Sequence, residues 1–291
     1  MKSKVYFIRK ISKENLVKIY DALNVSLPQP VAIKVHSGEE GNQNYLHPEF
    51  YKDIVSHVNG TIVECNTAYD GARNTTKKHL KLLEDHLWTK YFNVDLLDAE
   101  SDLKLNIPNG KVIKENYVGK NIEKYNSMLV ISHFKGHPMG GYGGSLKQLS
   151  IGCASTMGKC LIHSAGKIKD QTKLWDNIAS QDKFLEAMAD AASSVINYFN
   201  SNIAYINVMC NMSVDCDCCV VAEDPCIKDI GILASLDPVA IDKACLDLVK
   251  SSNDLGKEHF LERVNSRHGF HTIEASKELN CGNTDYDLIE L

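Results

Sequence analysis

Short, continuously apolar segments alternate with segments of helical periodicity along almost the whole chain. Residues 31–35, 127–132 and 204–209 are apolar runs without polar alternation, which is typical of strands buried on both faces of a parallel sheet. Residues 184–199 and 238–249 have the apolar spacing of amphipathic helices. The pattern predicts an α/β fold, a mostly parallel sheet with helices on both faces. We expect residues 1–291 to form a single domain.

Charge and hydropathy argue against several kinds of partner. The formal net charge is −5 and the sequence pI is about 6.1, so we expect no nucleic-acid partner. The apolar runs are far shorter than the roughly 20 residues that cross a bilayer, so we expect no membrane partner. The apolar run at residues 5–8 is too short for a signal peptide, and we therefore expect a cytoplasmic location. In that compartment the ten cysteines are expected to be reduced thiols or metal thiolates.

A glycine-rich segment directly follows the strand predicted at residues 127–132. It contains His133, His137, Gly143, Gly144 and Lys147. Glycines let the backbone approach a ligand closely and expose N–H groups to it. We interpret the segment as part of a site in which His137 is an acid or base and Lys147 anchors an anionic ligand or cofactor. The other three residues are expected to bind the same cofactor or ligand. The alternative is a mobile glycine loop with surface lysines.

A second segment concentrates thiols, with four cysteines within eleven residues: Cys216, Cys218, Cys219 and Cys226. Thiolates are the preferred ligands of iron–sulfur clusters and soft metals, so these four are candidate metal ligands. Cys216 and Cys219 form one CxxC pair, but no second pair completes a ferredoxin or zinc-ribbon pattern. An all-cysteine site without Cys218 would need a distant fourth ligand such as Cys153 or Cys210. The alternative is a reactive or structural thiol cluster without a metal.

Other polar residues follow predicted strands or interrupt them. Lys34 lies within an apolar strand, which indicates a charge directed at a cleft unless the strand is at a sheet edge. His36 follows it, and Arg73 can bind a carboxylate or phosphate through two N–H groups. Asp237 is expected to cap the helix at residues 238–249, while Asp242 is left facing either the site or solvent. Five isolated histidines are expected at the surface: His47, His57, His79, His86 and His259.

These segments occur together, in the same order, in one protein family. The matching stretches are residues 34–39, 66–73, 133–137, 140–147, 152–155, 158–164, 215–219 and 229–242. On these residues the chain resembles the uncharacterised Fe–S centre proteins, domain of unknown function family 362, over nearly its whole length. The resemblance implies an iron–sulfur cluster or another transition metal as cofactor.

One departure limits what the resemblance implies. Many family members carry a ferredoxin-like insert with two four-cysteine motifs after the segment that corresponds to residues 163–164. Residues 166–183 contain no cysteine here, so the two-cluster electron-transfer role does not carry over. Only the Cys216 segment remains as a place for a metal.

A shorter similarity is to the N-terminal domain of the nickel-pincer lactate racemase. His137, Lys147 and His163 have the spacing of that domain's acid/base histidine, cofactor-tethering lysine and nickel ligand. A second acid/base histidine precedes an arginine there, whereas Ala72 precedes Arg73 here. Racemisation by two bases needs a proton donor on each face of the carbon. The similarity therefore implies a bound cofactor or a one-base reaction rather than lactate racemase activity.

Three functional hypotheses follow. The first is a redox or cofactor-dependent enzyme with a metal or iron–sulfur centre, acting on a small anionic substrate and served by a redox partner protein. The second is a metal-independent enzyme that binds a small carboxylate or phosphate through Lys34, Arg73 and Lys147. The third is a non-catalytic metal-binding or assembly protein.

Overall fold

Strands at the centre of the molecule carry the loops of interest. The computed structural model describes residues 2–291. Its strands, in chain order, are β1 Ser3–Ile8, β2 Val31–Lys34, β3 Gly60–Glu64, β4 Val94–Leu96, β5 Asp102–Asn106, β6 Glu115–Gly119, β7 Ser127–His133, β8 Lys135–His137, β9 Gly141–Gly143, β10 Ile203–Met209, β11 Gly231–Ser235 and β12 Tyr286–Glu290.

Helices connect most of these strands. The α-helices are α1 Lys13–Ala22, α2 Lys52–Val58, α3 Thr76–Asp85, α4 Trp88–Tyr91, α5 Ser145–Lys147, α6 Thr156–His163, α7 Gln181–Tyr198, α8 Pro238–Ser251, α9 Lys257–Ser266 and α10 Phe270–Glu278. A π-helical turn, Gln148–Gly152, continues directly from α5. Within residues 2–291, no helix combines the length and the apolar character needed to cross a membrane.

Eight strands form one sheet in the order β12-β1-β11-β10-β7-β2-β3-β4. Only β11 runs antiparallel to its neighbours β1 and β10, and the remaining pairs in this sheet are parallel. The prediction of a mostly parallel α/β sheet is confirmed. From β2 the chain continues outward to β3, whereas β7 and β10 lie on the other side of β2. Loops after β2 and β7 therefore diverge at the carboxyl edge of the sheet, where α/β proteins form crevices.

Successive residues of the central strand β7 point into two different cores. Met128 and Val130 pack with residues of α7 and α8, whereas Leu129 and Ile131 pack with residues of α1 and α2. Each buried aliphatic side chain of this kind stabilises the fold by about 1.5–3 kcal/mol. Helices thus cover both faces of the sheet, as the unbroken apolar runs predict.

The prediction that Asp237 caps α8 is confirmed, because its side chain accepts hydrogen bonds from two backbone N–H groups in the first turn. Ser12 and Thr75 cap α1 and α3 in the same way.

Three features differ from what the sequence pattern indicates. The glycine-rich segment is a β8–β9 hairpin followed by helix rather than an open loop. Residues 75–88 have the pattern of one continuous helix, but the helix is interrupted at Leu87, which has a φ of 64°. The polar tail forms β12 beside β1, because pairing satisfies backbone groups of an otherwise exposed edge.

Candidate functional site

A cavity of about 350 Å³ lies at the carboxyl ends of β2, β3, β7 and β10. Segments that follow each of these strands contribute to its wall, together with the π-helical turn and α6. Its polar lining residues are Lys34, His36, Glu64, Arg73, His137, Lys147, Gln148, Lys159, His163, Cys218 and Cys219, and its apolar ones include Ala68, Met139, Ile151, Leu174 and Trp175.

The glycine-rich segment and the cysteine segment are packed directly against each other. The backbone N–H of Gly136 donates to the Ser213 carbonyl oxygen at 2.8 Å. A Cβ atom at position 136 would lie 2.3 Å from the Val214 carbonyl oxygen, so only glycine fits there. This contact brings the two segments predicted from the sequence into one site.

Asp217 anchors the cysteine segment from inside the protein. Its buried carboxylate lies 2.7 Å from Lys135 Nζ and 2.9 Å from His133 Nδ1. His133 Nε2 donates to the Cys210 carbonyl oxygen at 2.6 Å. Burial alone would raise the pKa of Asp217, but the charges of His133 and Lys135 lower it well below its usual range. His133 is thus a structural contact of the loop, and it does not line the cavity.

Asp242 holds the start of α5, from which Lys147 projects. Its carboxylate accepts hydrogen bonds from the backbone N–H groups of Ser145 at 2.8 Å and Leu146 at 3.0 Å. Burial raises the pKa of Asp242 to about 6, although these hydrogen bonds act in the opposite direction. A Cβ atom at Gly144 would lie 2.5 Å from Asp242 Oδ1. The carboxylate and the glycine together fix the direction of the short helix.

His137 is oriented by the turn that follows it. Its Nδ1 accepts hydrogen bonds from the backbone N–H groups of Met139 at 3.1 Å and Gly140 at 2.8 Å. Burial lowers the pKa of His137, so the ring is neutral at neutral pH. A neutral ring that accepts at Nδ1 carries its hydrogen on Nε2. That Nε2 lies 3.9 Å from Cys218 Sγ.

Cys216 is held as a thiolate beside Lys147. Burial alone would raise the pKa of Cys216, but a hydrogen bond from Cys218 and the charge of Lys147 bring it well below the value of an ordinary thiol. Lys147 Nζ lies 3.6 Å from Cys216 Sγ. The hydrogen bond to Cys216 raises the pKa of Cys218. In this arrangement Cys218 keeps its proton and Cys216 carries the negative charge.

His137, Cys216 and Cys218 form a group that could hold a metal ion. One ligand atom from each lies within 4.8 Å of the other two. Ligands of one tetrahedral ion, bound at about 2.0–2.3 Å, lie roughly 3.3–3.8 Å apart, so small shifts would bring these atoms onto a single ion. Iron–sulfur clusters of the four-cysteine type need four thiolates, and only two cysteines belong to this group. The donor set therefore suits a mononuclear soft metal better than a cluster.

Lys34 lines another part of the cavity wall, which we call the lysine end, and its charge is neutralised there. Its Nζ donates to Glu64 Oε2 at 2.6 Å, to the Val35 carbonyl oxygen at 2.5 Å and to Gln148 Oε1 at 3.1 Å. The other Glu64 oxygen accepts from the N–H and hydroxyl of Ser37. Burial would raise the pKa of Glu64, but Lys34 lowers it far below its ordinary value. Because β2 is an internal strand, the edge explanation for Lys34 is excluded.

Arg73 is likewise paired with a carboxylate of the protein itself. Its Nε lies 3.1 Å from Glu39 Oε2, and its Nη2 donates to Tyr69 Oη at 2.7 Å. The neighbouring His36 accepts at Nδ1 from the Gly38 N–H at 3.1 Å. Burial, followed by the charge of Arg73, lowers the pKa of His36 well below its usual value. Both residues line the cavity, but the Arg73 guanidinium already has its carboxylate.

His163 presents one ring nitrogen to the cavity. Its Nδ1 donates to the Lys159 carbonyl oxygen at 2.7 Å, and its ring stacks on Phe184 with centroids 4.9 Å apart. Burial lowers its pKa to about 4, so the ring is neutral and Nε2 offers a lone pair. His163 lies outside the group of three ligand atoms formed around Cys216.

The structure brings together most, but not all, of the predicted site residues. Around the cavity lie His137, Lys147, Cys218, Cys219, His163, Lys34, His36 and Arg73, with Cys216 directly behind Cys218. Cys226 lies outside the group of three ligand atoms, and its Sγ donates to the Met212 carbonyl oxygen. Four residues expected to bind a ligand do not line the cavity: His133, Gly143, Gly144 and Asp242. The suggested fourth ligands Cys153 and Cys210 belong to separate apolar cores.

Sequence reasoning missed four lining or supporting residues: Glu39, Glu64, Gln148 and Lys159. It also placed His79 at the surface, which is wrong. His79 is fully buried, with Nδ1 3.2 Å from Asn66 Oδ1 and Nε2 3.4 Å from Ser37 Oγ. Leu82 and Leu83, three and four residues further along the helix, are buried on the same face as His79. Helical periodicity could therefore have placed His79 in the interior. Glu64 could have been found, because a carboxylate ending one apolar strand beside a lysine ending another indicates a buried pair.

Comparisons with known proteins give a family and distant structural neighbours. No curated protein matches the chain. It is similar to the lactate racemase apoprotein from Thermoanaerobacterium thermosaccharolyticum, with 16% identity and a TM-score of 0.41 over 70% of this chain and 50% of that one. It is also similar to a protein from Thermotoga maritima solved by the Northeast Structural Genomics Consortium, with 12% identity and a TM-score of 0.44 over 91% of this chain and 58% of that one. The chain spans only half of the racemase apoprotein's length.

The family assignment rests on a longer match. The sequence model of the Domain of unknown function (DUF362) family matches residues 31–247. That range includes every strand that contributes to the cavity, both packed segments and the helix that carries Asp242. It covers more than half of the chain. The chain therefore belongs to the DUF362 family.

Proposed function

We propose that this protein is a metal-dependent enzyme that acts on a small anionic substrate. The observation that carries the proposal is the group of His137, Cys216 and Cys218, with ligand atoms within 4.8 Å of one another beside the cavity. Two thiolates and an imidazole select soft or borderline transition metals. A site with three protein ligands leaves one position for substrate or water, which is typical of catalytic rather than structural metal sites.

The surrounding residues supply charge and orientation. When bound, the metal would act as a Lewis acid on a substrate oxygen or on water. Lys147 Nζ, 3.6 Å from Cys216 Sγ, balances the thiolate charge and can hold an anionic group of the substrate. His163 offers a neutral ring nitrogen to the same space and can accept a proton there. Apolar side chains around the cavity limit the access of water.

A second candidate is a metal-independent thiolate enzyme, and the hydrogen bonds of His137 favour it. Histidines that bind metals usually donate their other ring N–H to an acceptor. Here Nδ1 faces two N–H donors, so the hydrogen is on Nε2, the nitrogen nearest the thiols. Metal binding would require Nε2 to give up that hydrogen and the turn at Met139 to rearrange. Without a metal, His137 would instead be a proton donor beside the Cys216 thiolate.

Elemental analysis of anaerobically purified protein distinguishes the two candidates. We expect about one transition-metal ion per chain in the unmodified protein. The Cys216→Ser/Cys218→Ser protein should lose it. Cys226→Ser is the matched control, since Cys226 belongs to the same segment but contacts Met212 instead, and it should retain the metal. A metal-free protein whose Cys216 reacts rapidly with an alkylating agent would replace the first candidate with the second.

A further inference from the structure

Gln148 lines the cavity and carries a buried hydrogen-bond donor without a partner. Its Oε1 accepts from Lys34 Nζ at 3.1 Å, and because a lysine can only donate, this contact fixes the orientation of the amide. The Nε2 group of the amide is then a donor without an acceptor. Within residues 2–291 it is buried without a hydrogen-bond partner, and the side chain is only 6% exposed. A buried N–H group without an acceptor is destabilising, so a ligand oxygen here would be stabilising.

Lys159 provides a second donor on the same wall. It lines the cavity and is 6% exposed. Its Nζ donates to the carbonyl oxygen of Ala154, two residues beyond the end of the turn that starts at Gln148. No carboxylate of the described chain lies within ion-pair distance of it, in contrast to Lys34. Burial lowers the pKa of Lys159, and a bound anion would stabilise its charged form.

The other cations around the cavity already have negative partners. Lys34 lies 2.6 Å from Glu64, and Arg73 lies 3.1 Å from Glu39. Lys147 lies beside the Cys216 thiolate. Lys159 is therefore the cation best placed to receive one negative charge from a ligand. A single charge matches a carboxylate better than a phosphate dianion, which would require further donors.

Part of the cavity wall is apolar. Ala68, Met139, Ile151 and Leu174 contribute to it, and Trp175 borders the cavity while remaining 62% exposed. An apolar wall beside polar lining groups favours a ligand with a hydrocarbon chain or ring beside its polar groups.

We propose that the cavity binds a monocarboxylic acid with an apolar body, with the carboxylate on Gln148 Nε2 and Lys159 Nζ. The body of the molecule would lie along Ile151 and Leu174, and its other end would reach Cys218 and His137. The inference rests on the proposed function for the reacting end of the ligand. The carboxylate subsite itself stands on the unpaired Gln148 Nε2 and on Lys159, which has no carboxylate partner within the described chain, and it can be tested without any reaction.

Calorimetric titration with hexanoate at pH 8 tests the subsite. Gln148→Glu keeps an oxygen for Lys34 but replaces the free donor with a negative oxygen, and Lys159→Met removes the charge while keeping the apolar stem. We expect each substitution to weaken hexanoate binding at least tenfold and to leave the metal content unchanged. Lys167→Met, at an exposed lysine, is the control and should bind like the unmodified protein.

Several results would overturn the inference. Equal binding of hexanoate by all four proteins would refute the subsite. The absence of binding by the unmodified protein at millimolar concentration would refute it as well. Tighter binding of hexyl phosphate than of hexanoate would refute the choice of carboxylate. Repeating the titration after treatment with a chelator separates this inference from the metal. Binding that depends on Gln148 and Lys159 in metal-free protein supports the subsite even if the metal proposal fails.

Discussion

Two parts of the cavity wall differ in how a buried lysine is paired: the lysine end around Lys34 and Glu64, and the sulfur end around Lys147 and Cys216. At the lysine end, Lys34 gives all three of its hydrogens to protein acceptors and pairs with Glu64 at 2.6 Å. At the sulfur end, Lys147 has the Cys216 thiolate as its only counter-charge within the described contacts, at 3.6 Å. The Lys34–Glu64 pair, which we call the closed pair, has all of its lysine hydrogens bound by the protein and stabilises the fold. Lys147 and Cys216, which we call the open arrangement, can exchange a partner for a ligand, as a binding or catalytic centre requires.

Breaking the closed pair should produce the largest effect on stability. Glu64→Gln leaves the buried Lys34 ammonium without its carboxylate, and loss of one partner of a buried pair costs about 3–5 kcal/mol. Urea denaturation should show this decrease in the free energy of unfolding. Glu84→Gln breaks an exposed pair with Lys81 and should cost less than about 1 kcal/mol. Equal effects in the two variants would contradict the closed-pair interpretation.

The pH dependence of stability should also report on the lysine end. Burial lowers the pKa of His79 to about 3, whereas an unfolded histidine titrates near pH 6.5. Between these values the unfolded chain binds the extra proton, so the His79 contribution is complete above about pH 6.5 and decreases as the pH falls towards 3. We expect a loss of about 4–5 kcal/mol over this range, at about 1.4 kcal/mol for each pKa unit of the shift. His79→Gln, measured by urea denaturation at several pH values, should have a flatter profile. An unchanged profile would contradict the assignment.

A smaller loss of stability is expected from a substitution at Gly144, which packs against Asp242. Gly144→Ala places a Cβ atom against Asp242, whose carboxylate is held by several hydrogen bonds and cannot move freely. Forcing atoms into such a packed position costs about 1–3 kcal/mol. Denaturation should show this loss, together with a weaker metal affinity because α5 shifts. Gly71→Ala, where a Cβ atom would have ordinary contacts, is the control. A Gly144→Ala protein as stable as the control would contradict the packing argument.

The smallest expected effect is a change in the pKa of the Cys216 thiol at the sulfur end. Lys147→Met removes the cation nearest Cys216, so the pKa of that thiol should rise in metal-free protein. Thiolate absorbance at 240 nm, followed against pH, measures the change. Lys173→Met, at an exposed lysine, should leave the titration unchanged. The open arrangement would be refuted if Lys147→Met had no effect on the thiolate titration.

The sequence predicts the framework of this fold because apolar runs and helix caps are local signals. Unbroken runs such as β7 specify a strand buried on both faces, and Asp237 specifies where α8 begins. The tail strand β12 was missed, since it is stabilised by pairing with β1 at the opposite end of the chain. The interruption at Leu87 was also missed, because it depends on tertiary packing of Trp88 beside Ser37.

Site residues could be predicted where a reactive side chain follows a predicted strand. His137, Lys147 and Cys216 follow strands and carry reactive groups, and they do lie together. Gln148 was not predictable, because its free N–H exists only through its contact with Lys34. Asp242 was left facing either the site or solvent, but its carboxylate is buried and accepts hydrogen bonds from the backbone N–H groups at the start of α5. Whether a residue lines the cavity or supports the loop behind it therefore depends on its hydrogen-bond and ion-pair partners, which the residue type alone does not reveal.

Titration of metal-free protein with cobalt(II) under anaerobic conditions tests the central claim most directly. If Cys216 and Cys218 bind one ion, thiolate-to-cobalt charge-transfer bands should increase to a plateau at about one equivalent. The bands should be absent in the Cys216→Ser/Cys218→Ser protein and retained in Cys226→Ser. Failure of the unmodified protein to develop these bands, or bands that persist in the double variant, would contradict a metal centre at the sulfur end of the cavity.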